Sequence, residues 1–144
     1  MCIFCRIASG ELPASVVYED DYAMAFLEIQ PINPGHVLVI PKQHASSLID
    51  LSEEDAAHLM RVAQMMDKAM RWSNLKCDGV NILIADGRVA GQDVAHLHVH
   101  VFPRFQGDGF NLQIDPGSRK PPSREELVET AKKLKQAIGA LQYV

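Results

Sequence analysis

Three histidines occupy alternate positions in one short segment, His96-Leu97-His98-Val99-His100-Val101-Phe102. Residues two apart in a strand project from the same face, so the three imidazoles would share one face while the apolar residues between them enter a core. Crowded imidazoles are costly, because imidazolium ions repel one another and a buried one must lose its proton. Metal ligation and catalysis on an anion would offset that cost. The alternative is a strand with incidental polar residues on its solvent face.

Two cysteines near the start of the chain have the spacing Cys2-x-x-Cys5. This spacing occurs in zinc sites, but a tetrahedral zinc ion needs four ligands, so the pair alone does not establish one. The third cysteine, Cys77, is predicted to be a free thiol. An odd number of cysteines with one close pair indicates a reducing compartment, the cytoplasm.

The composition describes one ordinary globular domain over residues 1–144, with 47% hydrophobic and 22% charged residues. No signal peptide or transmembrane segment is predicted. The formal net charge of −4 argues against nonspecific binding to nucleic acid or to an anionic membrane. An anionic ligand would therefore need a local site.

The hydrophobic pattern predicts an α+β fold with an antiparallel sheet of about five strands. The segments with strand character are 16–19, 22–29, 36–40, 80–85 and 95–102. Apolar residues at helical spacing predict a long helix over roughly 52–72, and a capping box at Ser123 predicts a C-terminal helix to about Leu141. His58 lies within the first of these helices and is predicted to be a surface residue.

The histidine segment resembles the motif of the histidine triad superfamily, His-φ-His-φ-His-φ-φ, at every position, where φ is apolar. Further segments agree with that family in order: Cys2-Ile3-Phe4-Cys5, Ala25-Phe26-Leu27-Glu28-Ile29, the run from Pro34 to Lys42 followed by His44, and Gly91-Gln92. The resemblance extends from about residue 2 to residue 110. It implies a histidine-triad-like fold and a homodimer.

The resemblance also implies a nucleotidyl transferase or hydrolase that acts on the α-phosphate of nucleoside phosphoramidates or dinucleoside polyphosphates. A covalent nucleotidyl-histidine would form and water would then release a nucleoside monophosphate. By position the nucleophile is His98, and His100, His36 and Gln92 would contact the phosphate. A neutral imidazole nitrogen is a good nucleophile near pH 7, which supports this assignment.

Purine nucleotides or their conjugates are the partners that the resemblance implies. It assigns Glu28 to the ribose hydroxyls and Gly91 and Asp93 to the loop at the phosphate. An apolar base slot would be formed by Ile3, Phe4, Ile7, Phe26, Ile29 and Leu38, although core packing is an equally good reading of any one of them. Two positions depart from relatives: Asp93 replaces a common Ser or Thr near the leaving group, and Ala85 replaces an Asn found in some members.

Structural zinc is implied by the match of Cys2, Cys5, His44 and His96 to the ligands of zinc-binding relatives. Such a filled Cys2His2 site would stabilise the fold, and the chemistry would need no cofactor. A frayed N-terminus with two reduced thiols is the alternative.

Two other functions fit the same residues. In the first, the pocket belongs to a nucleotide-binding regulatory module whose turnover is incidental. In the second, His96, His98 and His100 all ligate one catalytic metal ion.

Overall fold

The apolar segments pair into one five-stranded antiparallel sheet in the computed structural model, which describes residues 2–113, 117 and 119–141. The strands are β1 (Val16–Glu19), β2 (Ala23–Leu27), β3 (Val37–Pro41), β4 (Gly79–Leu83) and β5 (Val99–Arg104). Their order across the sheet is β1-β2-β3-β5-β4. Together with three helices this confirms the predicted α+β architecture.

Both faces of β2 and β3 are buried, which explains their almost continuous apolar sequences. One face packs in a cluster that includes Ala23, Ala25, Val37, Val39, Val99 and Val101. The opposite face carries Met24, Phe26, Leu38 and Ile40. Leu38 is paired with His100 across β3 and β5, so the histidine side chains of the β5 segment belong to this second face.

Helix α2 (Glu53–Trp72) covers the first face and confirms the predicted long helix. Its N-terminus is capped by Ser52, whose hydroxyl accepts a hydrogen bond of 3.1 Å from the backbone N–H of Asp55. The residues that it buries recur at three- and four-residue spacing and are Leu59, Val62, Ala63, Met66 and Met70.

A short helix that the sequence pattern does not predict, α1 (Ile3–Ala8), lies on the second face. Six residues are too few for a stable isolated helix, so tertiary contacts must support it. Phe4 is buried there against Phe26, with ring centroids 5.6 Å apart. The Sγ of Cys2 also caps the helix, accepting from the backbone N–H of Cys5 at 3.4 Å.

The prediction of a strand over 95–102 is wrong at both ends, because β5 begins at Val99 and continues to Arg104. Pairing with β3 ends at Val99, so residues 96–98 have no strand partner on that side. Other contacts hold them extended: the backbone N–H of Leu97 donates to the carbonyl of Ala45 at 2.7 Å. The predicted strand over 16–19 matches β1, and shifts of one or two residues separate the predictions for β2, β3 and β4 from the observed bounds.

Asp108 fastens the turn before β3 to the end of β5. It accepts from Asn33 at 2.9 Å and from Arg104 Nε at 2.6 Å. The hydrogen bond from the Arg104 guanidinium holds the pKa of Asp108 well below its usual range. The turn that precedes His36 is thereby positioned by a charged pair.

The chain divides into two units, Met1–Phe110 and Asn111–Val144. The second unit contains α3 (Arg124–Leu141). Ser123 and Glu126 form the predicted capping box at its start, with bonds of 2.7 and 3.1 Å between side chains and backbone N–H groups. Within the described residues, none of the helices combines the length and apolar character that crossing a bilayer requires.

Candidate active site and metal centre

The ring of His98 is oriented by the backbone of the preceding histidine. Its Nδ1 lies 2.7 Å from the carbonyl oxygen of His96, and a carbonyl can only accept, so Nδ1 carries the proton. In the neutral ring this leaves a lone pair on Nε2. The His98 side chain is 3% exposed and lines a cavity, so the lone pair is positioned as a nucleophile.

A second backbone contact sets the proton positions in the pair His36 and His100. The backbone N–H of Ile32 donates to His36 Nδ1 at 3.1 Å, so this nitrogen carries no proton. His36 Nε2 therefore carries it and donates to His100 Nδ1 at 2.9 Å. His100 in turn keeps its own proton on Nε2. The pair makes His100 Nε2 a hydrogen-bond donor, and the Nε2 proton of His36 is used in the bond to His100.

Burial keeps this pair neutral. Desolvation, with a smaller contribution from the neighbouring His100, lowers the pKa of His36 to about 4. Burial also lowers the pKa of His100, with His98 contributing. Near pH 7 both rings are therefore neutral, as the proton positions require.

The buried neutral ring of His36 makes the protein less stable in acid. His36 titrates near 6.5 in the unfolded chain and near 4 in the folded chain, so the unfolded state binds the proton first as pH falls. Between pH 7 and pH 5 we expect a loss of about 2 kcal/mol in unfolding free energy from this residue. Urea unfolding of wild type and His36→Gln at both pH values measures it, since contributions common to both proteins cancel. Equal pH dependence in the two proteins would contradict this assignment.

The loop before the histidine segment is braced by Gln92. The backbone N–H of Gly87 donates to Gln92 Oε1, and Gln92 Nε2 donates to the carbonyl of Ser46, both at 2.8 Å. One N–H of the amide remains for a ligand. Gly91 has φ of +97°, a conformation that favours glycine, and it ends the turn that leads into Gln92.

An apolar cavity of about 680 Å³ adjoins His98. Every residue predicted for the base slot lines it: Ile3, Phe4, Ile7, Phe26, Ile29 and Leu38. Glu28 and Asp93 line it as well. A carboxylate oxygen of Glu28 accepts the backbone N–H of Gln30 at 3.0 Å, which orients the group at the cavity wall.

Several cavity residues carry no signal in the sequence. They are Leu12, Pro13, Ala14, Ser15, Leu27 and Val94. The first four belong to the irregular segment between α1 and β1, and their chemistry is ordinary. Their placement depends on how that segment folds back beside α1, which periodicity cannot reveal. Gly91 lines a neighbouring polar cavity instead of this one.

The four predicted metal ligands lie together. Cys2, Cys5, His44 and His96 each offer one ligand atom, and these atoms are within 4.8 Å of one another. His96 Nε2 donates to the carbonyl of Pro41 at 2.8 Å, which leaves the Nδ1 lone pair directed at the sulfurs. His96 Nδ1 is 3.4 Å from the Sγ of Cys2, and His44 Nδ1 is 3.3 Å from the Sγ of Cys5.

These distances fit a tetrahedral ion. Zn–S and Zn–N bonds of ordinary length place neighbouring sulfur and nitrogen ligands about 3.6 Å apart. Three of the four sulfur–nitrogen distances are 3.3, 3.4 and 3.5 Å. Two thiolates and two imidazoles are also a donor set that zinc prefers, so the residues present fit that metal.

His58 has a partner that the sequence did not indicate. Its Nε2 lies 2.6 Å from Asp20 Oδ2, and its ring packs edge-on against Tyr22. Asp20 also accepts the backbone N–H of Ala23 at 2.7 Å. The predicted surface residue is thus half-buried and joins α2 to the turn between β1 and β2.

Comparison with known proteins identifies relatives over most of the chain. A family model described as HIT domain matches residues 9–107. An adenosine 5'-monophosphoramidase of Saccharomyces cerevisiae is 41% identical over 103 residues, which are 72% of this chain and 62% of that protein.

Solved structures share the fold. A HIT family protein from Bacillus anthracis has a TM-score of 0.85 and 34% sequence identity, covering 94% of this chain and 96% of its own. A zinc-bound histidine triad family protein from Mycobacterium smegmatis has a TM-score of 0.72 and 41% identity, covering 99% of this chain and 96% of its own.

Proposed function

Because the chain belongs to the HIT domain family, we propose that it is a hydrolase or nucleotidyl transferase that cleaves nucleoside phosphoramidates or dinucleoside polyphosphates at the α-phosphate. The observation that carries this proposal is the orientation of His98. Its Nδ1 proton is held by the His96 carbonyl, so its Nε2 lone pair is free beside an apolar cavity.

In the first step the lone pair of His98 Nε2 attacks phosphorus. The bond from phosphorus to the leaving nitrogen or oxygen breaks, and its electron pair goes to the leaving atom, which takes up a proton from solvent when that atom is nitrogen. A nucleotidyl-His98 intermediate forms. Two easier displacements replace one difficult displacement, which is the advantage of covalent catalysis.

In the second step water attacks the phosphorus of the intermediate. The bond between phosphorus and Nε2 breaks, its electron pair returns to the ring, the attacking water gives up its protons to solvent, and a nucleoside monophosphate is released. His100 donates its Nε2 proton as a hydrogen bond to a phosphate oxygen in both steps. Charge on that oxygen grows in each transition state, where a positioned donor contributes about 3 kcal/mol.

His36 is a positioning residue for His100 in this mechanism, since its Nε2 proton is given to His100 Nδ1. The loop around Gln92 and the backbone N–H of Asp93 would cradle the phosphate. Glu28 would accept from the ribose hydroxyls, and the six apolar residues of the cavity would enclose a purine base.

Zinc would be held by Cys2, Cys5, His44 and His96. With four protein ligands the ion has no open position, so it would stabilise the fold and leave the chemistry to the histidines. The zinc-bound state of the Mycobacterium smegmatis relative supports this metal. Two metal-binding thiols suit a reducing compartment, so we assign the protein to the cytoplasm.

We also infer a homodimer, which the family resemblance implies. β4 is an edge of the sheet, and its Ile82 and Leu83 are 41% and 40% exposed. Met60 on α2 lines the same surface region as Ile82. An edge strand has unpaired backbone N–H and C=O groups that can pair with another strand. In a symmetric dimer the same strand of a second copy would provide these hydrogen bonds and cover the apolar side chains.

A regulatory module that binds purine nucleotides with incidental turnover remains the second candidate, favoured by the apolar cavity alone. Incubation with adenosine and guanosine phosphoramidates, dinucleoside polyphosphates and nucleotidyl sulfates separates the two. We expect nucleoside monophosphate release at many turnovers per protein, with phosphoramidates among the substrates, as the name of the yeast relative supports. Tight binding of monophosphate with less than one turnover from every compound would favour the regulatory module.

A further inference from the structure

A carboxylate lies beside the nucleophilic nitrogen, and the mechanism above does not use it. Asp93 Oδ1 is 3.5 Å from His98 Nε2. The two side chains differ sharply in environment, since that of His98 is 3% exposed and that of Asp93 is 81% exposed. The nitrogen therefore reaches the cavity from the protein interior, whereas the carboxylate stands at the mouth of the site.

Asp93 lines two cavities. One is the apolar cavity that His98 also lines, and the other is a cavity of about 580 Å³ whose lining side chains are mostly polar. The remaining residues of this polar cavity are Ser46, Arg88, Gly91, Gln92 and Ala95. In a conjugate whose nucleoside fills the apolar cavity, the phosphorus would lie at His98. The leaving group would then enter the polar cavity, which Asp93 also lines.

The position of Asp93 places a negative charge close to the reacting phosphorus. Phosphorus in van der Waals contact with Nε2 is about 3 Å from it. Because Oδ1 is 3.5 Å from the same nitrogen, the distance from Oδ1 to phosphorus is at most about 6.5 Å. Like charges at this range near a protein surface change an affinity by roughly tenfold, and opposite charges change it by a similar factor in the other direction.

We propose that Asp93 and the polar cavity form the leaving-group subsite, and that Asp93 makes it prefer a departing amine that carries positive charge over a departing phosphate. An amine gains a proton as it leaves, so its developing cation is attracted to the carboxylate. A polyphosphate leaving group brings further negative charge to the same place. Arg88 lines the same cavity and is exposed like Asp93, but within the described residues it forms no ion pair with Asp93, whose carboxylate lies 3.5 Å from His98 Nε2.

This inference deepens the proposed function and depends on it for the identity of the reaction. The overall reaction for an amine is a nucleoside phosphoramidate monoanion plus water giving a nucleoside monophosphate dianion plus an alkylammonium ion, which balances in atoms and charge. Asp93 itself is not consumed, and its carboxylate only accepts hydrogen bonds from the departing nitrogen.

Three adenosine phosphoramidates of equal length test the preference. Their amines bear a 2-aminoethyl, a propyl or a 2-carboxyethyl group, so the leaving group carries an additional charge of +1, 0 or −1. For the wild type we expect kcat/KM to fall in that order, by roughly tenfold per step at low salt. Raising ionic strength should narrow the spread, because the interaction is electrostatic and exposed.

Asp93→Asn is the variant that isolates the charge, since it keeps the size and a hydrogen-bond acceptor. We expect it to remain folded, because the side chain is largely exposed, and to hydrolyse the three compounds at rates within about threefold of one another. Asp21→Asn is the matched control. It removes the same charge from an exposed position on the turn between β1 and β2 and should leave the wild-type order intact.

Binding provides a readout that does not depend on turnover. The dissociation constants of the same compounds can be measured by calorimetry in His98→Ala and in the double variant with Asp93→Asn. In His98→Ala the affinities should fall in the same order as kcat/KM, and in the double variant they should be similar. If kcat/KM varied among the three compounds by the same factor in the wild type and in Asp93→Asn, the proposed subsite would be overturned. An ordered binding series without hydrolysis by the wild type would overturn the proposed function but support the subsite.

Discussion

Replacing His98 with alanine should lower kcat by about a thousandfold or more while leaving nucleoside monophosphate binding within about threefold of the wild type. The Nε2 lone pair is lost, and the nearby ring of His100 cannot substitute for it. His100 Nδ1 accepts from His36, so its other nitrogen carries a proton and is a donor. The apolar walls that would hold the base come from other residues and remain in place.

The rate of monophosphate release from an adenosine phosphoramidate and calorimetric binding of adenosine monophosphate measure the two effects. Mass spectrometry of the quenched wild type should detect the nucleotidyl adduct, and the variant should lack it. His58→Gln serves as the control, because it removes an imidazole from the distant contact with Asp20. Near-normal turnover in His98→Ala would overturn the covalent mechanism.

Replacing Cys5 with alanine should abolish stoichiometric zinc binding and lower the melting temperature by roughly 10 °C. A metal whose dissociation constant for the folded state is a thousandfold below its free concentration adds about 4 kcal/mol to the free energy of unfolding. Removing one of the four ligands should remove most of this stabilisation. Helix α1 should be the element that is destabilised most. It carries one thiol ligand and is capped by the other, and it is too short to persist without tertiary support.

Metal analysis and thermal melts measure these effects, with and without a chelator. The chelated wild type should match Cys5→Ala, and added zinc should restore only the wild type. Cys77→Ala is the matched control, since Cys77 lies outside the ligand cluster and should retain zinc. The metal site would be refuted if the wild-type protein contained no zinc and had the same melting temperature as Cys5→Ala. We expect folded Cys5→Ala to keep kcat within about tenfold.

One residue joins the two sites. The side chain of His96 faces the sulfurs through Nδ1, while its backbone carbonyl holds the Nδ1 proton of His98. Phe4 from α1 packs edge-on against His98, with ring centroids 5.1 Å apart. The segments that carry Cys2, Cys5 and His96 therefore also hold the orientation of the His98 ring and form one wall of the cavity.

The sequence indicated which residues the fold brings together at the two candidate sites, because their signals are local. Alternating histidines around Leu97 and Val99 require an extended chain, and the spacing of Cys2 and Cys5 suits a metal. The helix over 53–72 could be predicted equally well, because an N-cap at Ser52 and apolar residues at helical spacing depend only on residues that are close in the sequence. The start of β5 was not readable, because alternation is the same in a paired strand and in an unpaired extended segment.

The chain's own residue types thus determined which groups can ligate, attack and donate. Tertiary structure alone decided what each imidazole does, because a ring nitrogen is a donor or an acceptor only according to the group that faces it. The His96 carbonyl leaves the lone pair of His98 on Nε2, and the Ile32 N–H makes His100 Nε2 a donor through His36. These partners lie on turns and strands that only folding brings together, so the family resemblance could suggest the roles of the histidines but the spacing of the residues alone could not give the physical reason for them.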